Sequence, residues 1–274
     1  MTPAEDPLTS TARLHANQVT LAYDQRVISE QLDVTIPDGS FTVIVGPNAC
    51  GKSTLLRALA RLLTPRAGQV ELDGRPLGSY RPKQAARQIG LLPQSSVAPD
   101  GIRVVDLVSR GRFPYQKLVQ QWSDQDEAAV AGAMAATDVT ELAEREVGEL
   151  SGGQRQRVWA AMAMAQQTPI LLLDEPTTFL DISHQIELLD VFARLNQEQG
   201  VTVAAVLHDL NQAARYASHL VVMSQGQVVA TGDPMAVLTA ELVQQVYGLE
   251  CIVVPDPVSG TPMVVPTAGA WRRR

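Results

Sequence analysis

The sequence predicts an α/β fold, a mostly parallel sheet with an inserted helical block. Short apolar, β-rich runs at 41–45, 170–173, 201–207 and 219–223 have the length and continuity of buried strands. Helical patterns alternate with them from Lys52, Ile182 and Leu210, which is the signature of a parallel sheet crossed by helices. A stretch from about 102 to 167 reads as helix and breaks that alternation, so it is expected as an insertion on one face.

In chain order, residues 1–12 are rich in Thr, Ser and Pro and predict a loose tail. Val19, Leu21 and Tyr23 alternate, as do Leu32, Val34 and Ile36, and each set predicts a strand. From Lys52 the apolar stripe Leu55, Leu56, Leu59, Leu62 and Leu63 predicts an amphipathic helix. Asp73-Gly74 after Val70-Glu71-Leu72 is a hairpin signal. Ser123 and Asp126 predict an N-cap pair before an Ala-rich helix. The 253–266 segment predicts a strand with a Pro-rich loop and no chemistry, and Cys251 a core position.

Composition narrows the function classes. With 22 Lys+Arg against 29 Asp+Glu the 274-residue chain carries a net charge of −7, which argues against a general nucleic-acid binder. No run approaches the roughly 18 apolar residues of a membrane span. The first residues show no basic-then-apolar leader, and two cysteines make no disulfide framework, so the reducing cytoplasm is the expected compartment.

Gly46-Pro47-Asn48-Ala49-Cys50-Gly51-Lys52-Ser53 fits G-x-x-x-x-G-K-[ST] between a buried strand and a helix. Glycines let the backbone curl so that N–H groups point at phosphate oxygens, and the helix start adds its positive end. Lys52 is expected to reach the β- and γ-phosphates and Ser53 to ligate Mg²⁺. Cys50 lies where a thiol pKa can fall, although a small residue tolerated at a variable position is the simpler reading.

Residues 170–173 run into Asp174-Glu175. Acids at the C-terminal edge of a parallel strand sit where α/β sheets bind ligands. Alone such a pair is more often a helix N-cap or a solvated loop; beside a phosphate loop, Asp174 reads as a Mg²⁺ ligand and Glu175 as the base or orienter of the attacking water. His208 ends another strand and is placed to meet the γ-phosphate or that water; a metal-ligand role lacks Cys/His partners at suitable spacing. Leu150-Ser151-Gly152-Gly153-Gln154, ahead of an Arg- and Ala-rich helix, reads either as a second phosphate-binding element or as a capped loop–helix junction.

Taken in order, these motifs resemble those of ABC-transporter ATPase subunits, over about residues 14–266. The resemblance implies a P-loop NTPase core with an antiparallel β subdomain and a helical subdomain at about 96–164, one domain over 13–266, and tails at 1–12 and 267–274. It makes Tyr23 the aromatic that stacks on adenine, Gly46 to Thr54 the Walker A loop, and Gln94 the Q-loop glutamine that shares the metal site with Ser53 and Asp174. Leu150 to Gln154 becomes the signature, Glu175 the catalytic glutamate, Leu180-Asp181 the D-loop and His208 the switch histidine. The implied cofactors are ATP and Mg²⁺. The implied partners are a second copy sandwiching two ATP molecules, integral-membrane permease subunits docked on the helical block, and indirectly a substrate-binding protein, at the cytoplasmic face of the membrane. Phe179 stands where many members of the family carry a small residue, with little consequence expected.

Whole runs narrow the branch. Gly111 to Tyr115, Thr178 to Gln185, His208 to Ala213 and Asp256 to Pro262 are similar to ATPases of ferric-siderophore importers of the ferric-enterobactin type, whose neighbours serve haem and vitamin B12. A soluble ABC ATPase acting on DNA or ribosomes would carry a long coiled coil or two tandem halves, and neither is present. A nucleotide sensor without hydrolysis would be expected to lack Lys52 or Glu175. An exporter ATPase is opposed only by the branch-level runs.

Overall fold

The computed structural model describes residues 12–94, 97–116 and 122–267. The tails expected at 1–12 and 267–274 therefore lie outside the described residues, except for residues 12 and 267. In chain order the strands and helices are β1 (Leu14–Tyr23), β2 (Arg26–Ile36), β3 (Phe41–Val45), α1 (Lys52–Leu59), β4 (Ala67–Leu72), β5 (Arg75–Pro76), α2 (Pro82–Ala86) and β6 (Ile89–Leu92). Then come α3 (Val104–Ser109), α4 (Asp124–Ala136), α5 (Gly152–Ala165), β7 (Ile170–Asp174), α6 (Ile182–Gln199) and β8 (Thr202–Val206). The chain closes with α7 (Leu210–Tyr216), β9 (His219–Ser224), β10 (Gln227–Gly232), α8 (Pro234–Val237), α9 (Ala240–Tyr247), β11 (Cys251–Pro255) and β12 (Pro262–Pro266). The chain forms two compact units, residues 1–77 with 204–274 and residues 78–203.

In the first unit an antiparallel sheet runs β2-β1-β4-β5. Its β1–β2 register starts at Leu14↔Ile36 and ends at Tyr23↔Arg26, putting Leu14, Leu21, Leu32 and Ile36 inside. The Asp73-Gly74 turn closes β4 on β5 with both residues at positive φ, 51° and 70°, as a tight two-residue hairpin requires. β3, buried at all five residues, pairs in parallel with β9 from Thr42↔His219 to Val45↔Val222, and β10 returns antiparallel to β9. The Leu207 N–H donates to the Ile44 carbonyl at 3.3 Å and holds the end of β8 to β3.

α1 is shorter than its leucine stripe. Arg61 turns left-handed at φ 62°, the helix stops at Leu59, and Leu62 is left 67% exposed instead of joining the core. At the other end of the unit the predicted strand is a β11–β12 hairpin, paired from Cys251↔Pro266 to Pro255↔Pro262. Cys251 is half-buried and not core, because it lies on a hairpin strand with no fully buried residue. Asn211 of α7 clamps the hairpin, accepting the Val264 N–H at 2.7 Å and donating to the Val264 carbonyl at 3.3 Å.

In the second unit β6 and β7 pair in parallel from Ile89↔Ile170 to Leu92↔Leu173. Among the described residues of the 102–167 stretch there are three α-helices with 3₁₀ turns between them. Its apolar residues pack between helices and do not follow one continuous stripe: α5 alone buries Val158, Trp159, Ala160, Ala161, Ala163 and Ala165. The Ser123–Asp126 capping box starts α4 as predicted. Gly111 lets the turn after α3 lie on α5, since a Cβ there would stand 2.3 Å from the Met162 carbonyl oxygen. Beside it Arg112 is buried, paired with Asp126 at 2.7 Å and lying 4.1 Å from the Tyr115 ring centroid.

Candidate nucleotide-binding site

The phosphate loop joins β3 to α1 in the first unit. Gly46 and Gly51 take φ 151° and 104°, and Ala49, a residue with a Cβ, also sits left-handed at 62°. At Gly46 a Cβ would meet the Met223 carbonyl oxygen at 2.1 Å, so no other residue fits the curl of the loop against β9. Gly51 caps α1 without a side-chain hydrogen bond, at the helix end whose dipole favours an anion. Lys52 is buried, and its ammonium donates to the Gly46 carbonyl at 2.8 Å and the Pro47 carbonyl at 2.9 Å, spanning the mouth of the loop. Cys50 is buried, its sulfur 4.0 Å from the Lys52 ammonium.

Three further groups belong to this unit, Tyr23, Tyr247 and His208. Tyr23, at the end of β1, is 40% exposed, and its hydroxyl accepts from Arg57 of α1 at 3.2 Å, so α1 ties the aromatic to the same helix that begins at Lys52. Tyr247, which no motif marked, reaches the loop from α9: burial pushes its phenol well above the usual range, with Cys50 adding to this against a backbone hydrogen bond from Gly46. His208 is exposed just beyond β8, and Asp209 after it caps α7 by accepting from the Asn211 and Gln212 N–H groups.

The second unit gathers the acidic pair, the Q-loop glutamine and the signature. Asp174 is buried at the end of β7. Glu175 turns left-handed at φ 52°, and its Oε2 accepts from Gln94 Nε2 at 2.6 Å and from the Thr178 hydroxyl at 3.4 Å. The Gln94 amide nitrogen is thus engaged with Glu175, and its Oε1 is the end suited to a cation. Gln156 of α5, unremarked in the sequence, donates to the Pro176 carbonyl at 2.9 Å in the interior and pins the turn that carries Glu175.

Ser151 caps α5: its hydroxyl accepts the Gln154 N–H at 3.2 Å while the Gln154 side chain accepts the Ser151 N–H at 3.1 Å. The run is thus a capped loop–helix junction, with Gly152 exposed at the helix start. Gly153 lets the 179–180 turn approach closely, since a Cβ there would stand 3.1 Å from Leu180 Cδ2, whereas one at Gly152 would make ordinary contact with Phe179 Cβ at 3.6 Å. Asp181 caps α6, and the His184 N–H, helped by the Ser183 hydroxyl, holds its carboxyl below the usual carboxylate range.

A left-handed glycine loop closed by a buried lysine in the first unit, and a strand-end acid pair whose glutamate is held by a glutamine in the second, are the parts that a nucleoside-triphosphate hydrolase uses. The chain belongs to the ABC transporter family, whose match spans residues 29–178. It is 57% identical to the ferric enterobactin transport ATP-binding protein of Escherichia coli (strain K12), over 94% of this chain and 95% of that protein. It is 49% identical to a petrobactin import ATP-binding protein of Bacillus anthracis, over 95% and 96%. Among solved structures it is similar to a metal-chelate type ABC transporter in an inward-facing conformation, with TM-score 0.78, 28% identity, and coverage of 93% of this chain and 97% of that one. A dimeric bacterial ABC transporter cassette aligns with TM-score 0.73 and 26% identity, over 80% and 98%. The fold is that of an ABC ATPase, and the chain binds and hydrolyses ATP as a transporter subunit. Among the described residues no helix is long and apolar enough to cross a membrane.

Proposed function

We propose that this chain is the ATP-hydrolysing subunit that powers uptake of ferric siderophores across the cytoplasmic membrane. The observation that carries this reading is the 57% identity, over nearly the whole chain, to a ferric enterobactin transport ATP-binding protein. In this reading Tyr23 stacks on adenine, the loop from Gly46 to Thr54 wraps the phosphates, and Lys52 exchanges its carbonyl partners for the β- and γ-phosphate oxygens. Glu175, steadied by Gln94 and Thr178, orients the attacking water and takes its proton as the bond to the γ-phosphorus forms and the bond to the β,γ-bridging oxygen breaks. His208 donates to the γ-phosphate.

The donor set fits Mg²⁺. The Ser53 hydroxyl, the Asp174 carboxylate and the Gln94 amide oxygen are all hard oxygens, the donors that Mg²⁺ prefers. When bound, Mg²⁺ would neutralise charge building on the phosphate oxygens.

A second copy completes the reaction: Ser151, Gly152, Gly153, Gln154 and Asp181 of one subunit meet the γ-phosphate held by the loop of the other. Solved relatives that are dimeric cassettes support this. The helical segment, about 96–164 within one domain over 13–266, docks on permease subunits that a substrate-binding protein supplies, with the chain peripheral at the cytoplasmic face.

A hemin import ATP-binding protein of Thermobifida fusca, 40% identical over 97% of this chain, supports haem as a second reading. The test is uptake of labelled ferric siderophore, haem and vitamin B12 by a deletion strain carrying either the natural chain or Glu175→Gln. Siderophore uptake restored only by the natural chain is the expected result. Unimpaired siderophore uptake in the deletion strain, with a defect confined to haem or vitamin B12, overturns the substrate.

A further inference from the structure

Glu175, the base of the hydrolysis proposed above, stands on a backbone that its own sequence disfavours. It turns left-handed at φ 52° although it carries a Cβ, and it precedes Pro176, whose ring pushes the residue before it toward extended backbone. A residue so placed persists only where the surrounding structure over-determines it. Pro176 has no N–H, so the peptide that follows Glu175 cannot donate, and carbonyls are left to hold the turn. The Glu175 carbonyl accepts the Thr178 N–H at 3.2 Å, a bond within the turn. The Pro176 carbonyl accepts Gln156 Nε2 at 2.9 Å, a bond from outside it, made in the interior. Gln156 lies on the second turn of α5, and Gly153 on the first meets Leu180 at the other end of the same turn. The segment that carries Glu175 is therefore seated on α5 at both ends.

We propose that Gln156 is a positioning residue for ATP hydrolysis: by clamping the Pro176 carbonyl it keeps Glu175 in the left-handed turn from which its carboxylate meets the attacking water. The proposal rests on the reading of Glu175 as the base and adds to it a buried residue of α5 that acts through Glu175. Gln94 and Thr178 hold the carboxylate itself, whereas Gln156 holds the backbone beneath it. Without the Gln156 amide the buried carbonyl loses this donor, and the turn can relax toward the extended backbone that a residue before proline prefers. The carboxylate then swings away from the water. A shift of about 1 Å in a reacting group costs about a hundredfold in rate. Affinity for ATP is set elsewhere, by the phosphate loop and Tyr23 in the other unit, so it is left in place.

The experiment is a double-mutant cycle on the full-length chain, read by single-turnover hydrolysis of labelled ATP and by equilibrium binding of a fluorescent ATP analogue. Gln156→Met keeps the length of the side chain and removes the donor. It should slow hydrolysis at least about tenfold and leave nucleotide affinity within about twofold. In a Glu175→Gln background the same change should slow the residual hydrolysis less than about twofold, because a residue that acts through Glu175 has nothing left to position. A merely structural role would lower the rate in both backgrounds alike. Gln156→Asn, the mildest change that breaks the bond, carries the same cycle where Gln156→Met melts below the assay temperature. If the variants keep the natural single-turnover rate, or lose as much in the Glu175→Gln background as outside it, the positioning role is refuted while the reading of Glu175 stands. If Glu175→Gln itself hydrolyses ATP at the natural rate, that reading falls and the positioning role with it.

Discussion

Replacing Arg112 by methionine tests the electrostatics that hold the Gly111 to Tyr115 run in place. Arg112 is 4% exposed; its Nε donates to Asp126 at 2.7 Å, and its Nη1 donates to the Ala165 carbonyl at 2.9 Å and the Gln167 side chain at 3.0 Å. Methionine fills much of the volume but leaves Asp126 with only the Ser123 hydroxyl at 2.7 Å and the Ser123 N–H at 3.1 Å. Removing one partner of a buried ion pair costs about 3–5 kcal/mol. At about 2–4 °C per kcal/mol for a chain of this size class, thermal unfolding should fall by about 6–20 °C.

The pH dependence is the sharper test. In the natural chain burial pushes the Asp126 carboxyl up, but hydrogen bonds from Arg112 and Ser123 together outweigh it, and the group is held below its ordinary value. A folded pKa below the unfolded one gives stability that is present above about pH 4 and lost as pH falls through the lowered value. In Arg112→Met burial remains and the chief counterweight is gone. The folded pKa then lies above the unfolded one, and stability drops as pH rises from about 4 to 7. The deficit of the variant should therefore be largest at neutral pH and shrink near pH 4, as read by thermal or urea unfolding across that range. A deficit below about 1 kcal/mol, or one independent of pH, would refute the reasoning.

Ala49→Gly should stabilise the chain by about 0.5–1 kcal/mol, the left-handed strain relieved at φ 62° exceeding the entropy that glycine adds to the unfolded state; a lower urea midpoint would contradict this. Lys52→Met should weaken ATP binding at least about a hundredfold, since two charge-assisted hydrogen bonds of roughly 1.5–3 kcal/mol each are lost, and near-normal binding of a fluorescent nucleotide would count against the site. Gln94→Ala releases Glu175 from its 2.6 Å hydrogen bond and should lower single-turnover hydrolysis about 10–100-fold with ATP affinity little changed. Equal losses in affinity and rate would place Gln94 in nucleotide binding instead.

Elements with a local cause were legible from the residues alone. The Gly46 to Ser53 spacing, the run into Asp174-Glu175, the Ser123–Asp126 cap and the Asp73-Gly74 turn are each set by a few neighbouring residues, and each is found where the pattern puts it. Features that depend on residues distant in the chain emerge only once it has folded. The length of α1 was misjudged because hydrophobic spacing continues past Arg61 while the backbone does not. The helical stretch divides into three because its residues answer to one another across helices, as in Arg112 reaching Asp126 and Gly111 admitting the Met162 carbonyl. Gln156 under the Pro176 turn, Arg57 on Tyr23 and Tyr247 beside Cys50 left no mark in the sequence. A hydrogen bond between residues 20 or more positions apart has no period or motif to announce it. Phe179 was visible as an unusual residue with little consequence expected, but its left-handed backbone and its exposure show only in the folded chain.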